Sequence, residues 1–570
     1  MDKRDLPFFV LLLVLILAWP AIDRHWVAPR FRPSPPAVPA EEAPASTPAQ
    51  ATQPTPSPAN DVLRPSMDEP ASSEPPVTVT LSNQYLRLTF SNRGAAVTDA
   101  ILSDYRMTLD PDSGPVHFDF SDFPTLSYEG LQGLGESYGF AILEQSAQRL
   151  VIARTNTLGL ALIRTVEVGT SYVVRVRDQF VNTSTATVAV AAPRIRLGPM
   201  GYLPGESRSG GFEYLGIDTL SPGERVTYWG SKLARYFDVA GGPSPQIVAP
   251  LLSESRPAEW VAVKNKYFAQ ILKPLDDRFE RVSGRLRRAA GESGRRVRLE
   301  SVAAVMSRSS RNLDSGEVWT AEYELFVGPK KYDILRQLDA KRADVLEFGR
   351  LSGVAKLLLA TLNASYQVVP NYGVAILVLT VLIRILFWPL THRSTESMKR
   401  MQALQPQVQE IQRRYKDQPQ RAQKEILALY RAHKVNPLSG CLPILVQLPV
   451  LFALFVVLRS AIELRFAPFL WIRDLSEPEN LLHGRLPFGL SLNPLPIVMT
   501  ALQVWQSALT PSSGDPAQQK MFMIMPVLFV FFFYNFPSGL VLYWTASQAL
   551  MIVQLLRQRR AAQVLGRAEK

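Results

Sequence analysis

The stretch Val374-Ala-Ile-Leu-Val-Leu-Thr-Val-Leu-Ile-Arg-Ile-Leu-Phe-Trp-Pro-Leu390 decides how this chain is read. Residues 371–390 predict a membrane-crossing helix, yet Arg384 stands in the middle of it. A charge at that depth costs roughly 2.5–3.5 kcal/mol even on lenient insertion scales. None of the other strongly apolar runs contains Asp or Glu, so no carboxylate within the spans can offset the cost. Arg384 therefore implies water around it, or an anionic visitor.

Outward from this stretch lie five more apolar runs, at 6–22, 437–458, 492–509, 521–535 and 538–556. Six spans follow, the last five forming a core over residues 366–556. Several fall short of the ~20 residues an untilted span needs, which implies ragged boundaries or local thinning. Lys3 and Arg4 precede the first run. Arg393, Lys399, Arg400, Arg413, Arg414, Lys416, Arg421, Lys424, Arg431 and Lys434 fill 391–436, and Arg557, Arg559 and Arg560 open the tail at 557–570. Basic segments stay on the cytoplasmic side, which puts both termini inside and residues 24–370 mostly outside.

The 570 residues and net charge of +12 fit such a division better than a nucleic-acid binder, because the basic residues cluster beside apolar runs. Residues 1–28 read as an uncleaved signal anchor, since Ala18-Trp-Pro-Ala is a poor cleavage site. Residues 29–76, rich in Pro, Ala, Ser and Thr, cannot bury enough surface to fold and form a tether. Over 77–330, runs such as Val77-Thr-Val-Thr-Leu and Tyr172-Val-Val-Arg-Val-Arg alternate with period two between turns. They predict a large antiparallel β-sandwich. Residues 331–365 read as an amphipathic connector along the outer membrane–water interface; packing on the β domain is the alternative.

A single cysteine, Cys441, and five scattered histidines exclude a disulfide framework and a metal site. No phosphate-binding glycine loop is present. No cofactor and no enzyme chemistry is expected.

The candidate site is built around Arg384. Polar residues on several spans, Thr380, Gln447, Gln503, Gln506, Thr545, Ser547 and Gln548, would not face lipid, since each unpaired amide there costs a few kcal/mol. Together they suggest a hydrated groove in the inner leaflet. Two plainer readings stay open: snorkelling of Arg384 over the about 9 Å to Leu390, and interhelical hydrogen-bond glue. In 391–436, Met398, Met401, Leu404, Val408 and Ile411 recur at helical steps, Asp417-Gln-Pro419 breaks the helix, and Ile426, Leu427 and Leu429 supply a return face. This hairpin is an adaptable binding surface or a closed seam. Its basic face, with Arg413 and Arg414, meets headgroups, ribosomal RNA or simply water. Tyr543 and Trp544, just past a tight turn at Asn535–Leu540, contact a guest helix or anchor the interface.

At these residues the chain resembles the YidC/Oxa family of membrane protein insertases, in its long Gram-negative form. The resemblance lies in Leu379-Thr-Val-Leu-Ile-Arg-Ile-Leu-Phe-Trp-Pro-Leu-Thr391, Asn436-Pro-Leu-Ser-Gly-Cys-Leu-Pro443, Phe469-Leu-Trp-Ile-Arg-Asp-Leu475 and Phe536-Pro-Ser-Gly-Leu-Val-Leu-Tyr543. It is dense over 370–556 and looser before. It implies a periplasmic β-supersandwich joined to a five-helix core in a bacterial inner membrane. The family's groove arginine falls on Arg384 and its substrate contacts on Thr380 and Tyr543, with Trp544 where the family often has Tyr. The implied role is insertion and chaperoning of newly made membrane proteins in the bilayer, alone or with the Sec translocon and its accessory subunits. The ribosome would be met by 391–436 and 557–570, and no small-molecule substrate is expected. A secondary transporter binding a small anion at Arg384 is the main rival, weakened by the missing intramembrane carboxylates and by the lack of visible inverted repeats. An anchored sugar-processing enzyme would need a paired carboxylate cluster, which the β segment lacks.

Overall fold

Alternation of period two builds the first half of the molecule. In the strand Val173–Asn182, Val174, Val176, Asp178 and Phe180 are buried while Arg175 and Arg177 are exposed. It pairs antiparallel with Leu160–Val168 on one side and Val318–Pro329 on the other. These strands lie in a nine-stranded sheet that runs from Thr227–Tyr228 at one edge to Ala141–Gln145 at the other. Two four-stranded sheets accompany it: one is the meander Thr78–Ser82, Leu86–Ser91, Ala96–Arg106 and Pro115–Asp119, and the other runs Arg281–Arg288, Leu299–Ser307, Arg194–Gly201, Tyr128–Glu129. Their inner faces share one apolar core that includes Leu88, Phe118, Tyr128, Leu162, Val176, Trp260, Phe268 and Tyr323. Phe118 and Phe268 meet edge to face at 5.5 Å across it. Each fully buried side chain of this kind contributes about 1.5–3 kcal/mol.

The structure, a computed structural model, describes residues 75–206, 214–228, 257–288, 299–433, 435, 442–481, 491–509 and 529–568. The expected anchor at 6–22, nearly all of the tether, the motif residues Asn436–Cys441 and residues 521–528 of the fifth expected span lie outside the described residues. The described residues belong to one compact unit.

After the last strand the period changes to helical. The helices are α1 (Tyr332–Leu338), α2 (Ser352–Val368), α3 (Tyr372–Ala403), α4 (Gln405–Arg414), α5 (Pro419–Ala432), α6 (Leu442–Ser460), α7 (Pro494–Leu509) and α8 (Ser538–Ala568). Ala355, Leu358, Leu359 and Leu362 of α2 are buried in the helical core with Ala375, Ile376 and Leu379 of α3 and Leu454 and Leu458 of α6. Within the connector, α2 thus packs on other helices, whereas Leu335 of α1, Ala343 and Val345 belong to the apolar core of the β sheets, as the alternative reading had it. Asn371 caps α3, its side-chain oxygen accepting from the Val374 N–H at 3.1 Å. Pro389 lies inside α3 and supplies no N–H for the carbonyl one turn earlier.

The helix of the deciding stretch does not stop at Leu390. It runs on to Ala403, about 48 Å in all at 1.5 Å per residue; the good helix formers Met398-Lys-Arg-Met-Gln-Ala403 carry its end, and Thr391 satisfies its hydroxyl on the Phe387 and Trp388 carbonyls. The expected break at Asp417-Gln-Pro419 separates α4 from α5. Between them Met401, Leu404, Val408, Tyr430 and Val435 form a closed seam. Among the described residues two helices are long and apolar enough to cross a membrane, Tyr372–Ala403 and Ser538–Arg560, and Gln447–Ser460 is a shorter apolar one.

Candidate functional site

Arg384 opens into a small groove lined by Ile383, Arg384, Phe387, Leu390 and Thr391 of α3, Gln447 of α6 and Ser547 of α8. Its Nη2 donates to the Ser547 carbonyl oxygen at 2.6 Å and to Ser547 Oγ at 2.8 Å. Its Nη1 lies 3.9 Å from Met551 Sδ, and its buried Nε has no hydrogen-bond partner among the described residues. Gln447 Nε2 approaches the same Ser547 Oγ at 3.5 Å. The guanidinium is therefore held on α8 by neutral acceptors within a largely apolar lining. Such surroundings strengthen any charge interaction formed there.

The other polar residues are distributed differently. Thr380 is buried and its hydroxyl donates to the Ile376 carbonyl at 2.7 Å, inside its own helix. Thr545 does the same to Val541. Neither lines the groove. Tyr543 is buried, its hydroxyl beside Gln447 and Arg384. Trp544 packs against Phe529 and Phe533, with ring centroids 6.3 and 5.8 Å away, so its ring belongs to an aromatic cluster. Gln503 and Gln506 sit half-buried on α7, and Gln548 is buried beside Ser547; none of the three is in the lining. On the hairpin, Met401 is covered by the seam with α5 and Met398 is half-buried. Arg413 and Arg414 are exposed, and Arg414 pairs with Glu410 one turn away. An exposed pair of this kind is worth a few tenths of a kcal/mol.

Ser547 and Met551 carry more of the site than composition suggests. A readable signal exists: Tyr543, Ser547 and Met551 recur every four residues and so share one face of α8.

A second polar cluster lies at the junction of strands and helices. The Lys266 ammonium, buried, donates to the Ser476 carbonyl at 3.1 Å and pairs with Glu477 at 2.5 Å. The Tyr267 hydroxyl lies 2.8 Å from Ser476 Oγ. Arg465 donates to the carbonyls of Arg106 and Met107 at 2.7 and 2.8 Å. From the other side, the Ser538 N–H and hydroxyl donate to the Glu477 carbonyl, and the Gly539 N–H to that of Leu475. The loop 475–477 thus accepts the first N–H groups of α8, which no helix can satisfy internally. Replacing Lys266 by alanine removes the buried ammonium that pairs with Glu477 and donates to the Ser476 carbonyl. An expected loss of about 1.5–3 kcal/mol is measurable by denaturant unfolding of the full chain, and Glu477→Gln in the same background should restore part of it.

Beside this cluster, burial pushes the Glu206 carboxyl up from 4.5 to about 7, against the opposing pull of Lys266. Folding then favours its protonated form. That contribution is complete below pH 4.5 and is lost as pH rises through 7. Glu206→Gln is expected to leave the Tm unchanged near pH 4 and to raise it at pH 8, as thermal unfolding across that range would show.

Comparison with known proteins matches residues 135–361 to the YidC periplasmic domain and residues 364–563 to the 60Kd inner membrane protein family. The membrane protein insertase YidC of Nitratidesulfovibrio vulgaris is 31% identical over 580 residues, covering 97% of this chain and 98% of its own length. That of Pelobacter propionicus is 48% identical over 240 residues, 42% of this chain, and the match spans only 44% of that relative's length. The crystal structure of an active YidC insertase with its first transmembrane domain resolved aligns over 85% of this chain and 92% of its own, at 19% identity and a TM-score of 0.35. The full-length match, together with the two family matches that between them run from the β sheets through α8, means that this chain belongs to the YidC family of membrane protein insertases.

Proposed function

We propose that this protein inserts newly made membrane proteins into the bacterial inner membrane, receiving their acidic external tails at Arg384. One observation carries the reading. A guanidinium opens into a largely apolar groove, and among the described residues its partners are the two Ser547 oxygens and the Met551 sulfur, with no carboxylate. Such a cation attracts a client's carboxylate by about 4 kcal/mol at 4 Å and an effective dielectric near 20. The tail is drawn part-way across the bilayer, and its low-dielectric path shortens. The client's apolar segment of ~20 residues then moves between the helices into lipid, where burial drives completion. Membership of the insertase family supports the same reading.

In this scheme the core has five spans and the whole chain six, both termini are cytoplasmic, and residues 24–370 are mostly periplasmic. The seamed hairpin α4–α5 and the basic end of α8 face the ribosome or its nascent chain, and the β domain docks the Sec translocon. Thr380, Tyr543 and Trp544 border the client helix; Gln503, Gln506 and Gln548 line its path deeper in the bundle. No observation favours the small-anion transporter.

The test is reconstitution of the full chain in liposomes with a short single-span client. A client with an acidic external tail is expected to insert at least several-fold more than one in which Asp and Glu are replaced by Asn and Gln, as protease protection would report. Equal insertion of the two, or anion uptake without insertion, would sink the proposal.

A further inference from the structure

Arg384 has five N–H donors in a fixed fork. Both hydrogens of Nη2 go to Ser547, one to its carbonyl oxygen at 2.6 Å and one to Oγ at 2.8 Å. Either edge of a guanidinium that grips a carboxylate with two parallel bonds includes Nη2 together with Nε or Nη1. The remaining donors are poorly used. Nε is buried without a partner among the described residues, and Nη1 has only the soft Met551 sulfur at 3.9 Å. The two contacts to Ser547 differ in kind. The carbonyl belongs to the α8 backbone and leaves only if the helix moves, whereas the hydroxyl rotates about one side-chain bond and also faces Gln447 Nε2 at 3.5 Å. Ser547 is itself buried and part of the groove wall.

We infer that Ser547 is the placeholder of the groove: its hydroxyl occupies the position on Arg384 that an arriving carboxylate takes, and so sets how acidic a client must be to enter. This rests on the reading of Arg384 as the receiver of acidic tails. Between clients the serine keeps the guanidinium extended on α8. A carboxylate displaces the hydroxyl because it adds a charge–charge attraction, and a second parallel bond, to what a neutral hydroxyl offers the same guanidinium. An amide or hydroxyl on a client offers no such gain and leaves Ser547 in place. The released hydroxyl keeps the Gln447 amide as its neighbour, so displacement strands neither group. Ser547 acts through Arg384 and is a positioning residue that sets specificity.

The experiment measures, in liposomes, the ratio of insertion of the acidic-tailed client to that of its Asn/Gln counterpart, for the full chain and for Ser547→Ala, Ser547→Asp, Ser547→Thr and Arg384→Ala. Ser547→Asp supplies a permanent carboxylate and is expected to lower the ratio at least tenfold. Ser547→Ala frees one Nη2 hydrogen and is expected to raise it about threefold, while Ser547→Thr, which keeps the hydroxyl, returns it toward the parent value. A merely structural serine would change total insertion and leave the ratio alone. If Arg384→Ala collapses the ratio while Ser547→Ala and Ser547→Asp leave it unchanged, the placeholder is wrong and the groove charge survives. If Arg384→Ala leaves the ratio intact, the groove-charge reading falls and the placeholder with it. Should Ser547→Asp fail to fold, judged by thermal unfolding, Ser547→Ala decides alone, an unchanged ratio overturning the inference.

Discussion

Arg384→Ala is expected to cut insertion of an acidic-tailed client by about tenfold to a hundredfold. A hydrogen bond to a charged group is worth about 1.5–3 kcal/mol, and each 1.4 kcal/mol is a factor of ten. The groove is largely apolar apart from Gln447, Ser547 and Thr391, so no other charge in its lining substitutes for the lost one. Arg384→Lys keeps the charge but not the fork. An ammonium cannot reach both Ser547 oxygens in one plane and is more strongly hydrated, so activity intermediate between Ala and the parent is expected. Protease protection of the client gives both numbers. Full activity of the alanine variant would mean that the cation serves only to join α3 to α8.

The largest effect on stability is expected far from the groove, in the β core. Arg164 and Asp178 are both fully buried and face each other across adjacent strands. Arg164 Nε and Nη2 donate to the two Asp178 carboxylate oxygens at 2.6 and 2.5 Å, and Nη1 donates to the Ala95 and Leu126 carbonyls, each at 2.7 Å. The Tyr128 hydroxyl completes the set at 2.7 Å from Asp178. Burial disfavours the guanidinium charge, but Asp178 more than offsets this and holds its pKa above the ordinary value. Removing one partner strands the other in the core. Asp178→Ala is expected to destabilise by about 3–5 kcal/mol, a Tm loss on the order of 10 °C for a region of this size. The double replacement Arg164→Met with Asp178→Leu should recover part of it, because no buried charge is left unpaired, while the Ala95 and Leu126 carbonyls lose their Nη1 donor. A single mutant with unchanged Tm would show that water reaches the site.

The sheets were legible because their evidence is local. Period-two runs such as that ending in Tyr172-Val-Val-Arg-Val-Arg need no partner to be recognised. The pairing order was not, since Val318 joins Val181 across more than a hundred residues of chain. Nor was the inward turn of Asp178, which follows the period and so reads as a misplaced polar residue until Arg164 is found opposite. In the helical part, Arg384 announced itself by its cost. The polar neighbours did not sort themselves. Thr380 satisfies its hydroxyl on its own backbone, as Ser and Thr in helices commonly do, whereas Ser547, the same kind of residue, meets the guanidinium. Only interhelical register separates the two, and register is a tertiary property. Met401 was ambiguous for a similar reason: a stripe on one helix does not say whether a second helix covers it.

One end of α8 is fixed and the groove lies partway along it. Ser538 and Gly539 are tied to the loop 475–477, which Lys266 and Tyr267 hold from the β side. Ser547 is nine residues on, about 13.5 Å along the axis. Mechanically α8 is a lever with its pivot at that loop. A tilt of about 5° carries Ser547 roughly 1 Å, enough to take both its contacts with Arg384, at 2.6 and 2.8 Å, beyond hydrogen-bonding reach. Small rotations set at the pivot are thereby read out as making or breaking the link between Ser547 and Arg384 in the groove.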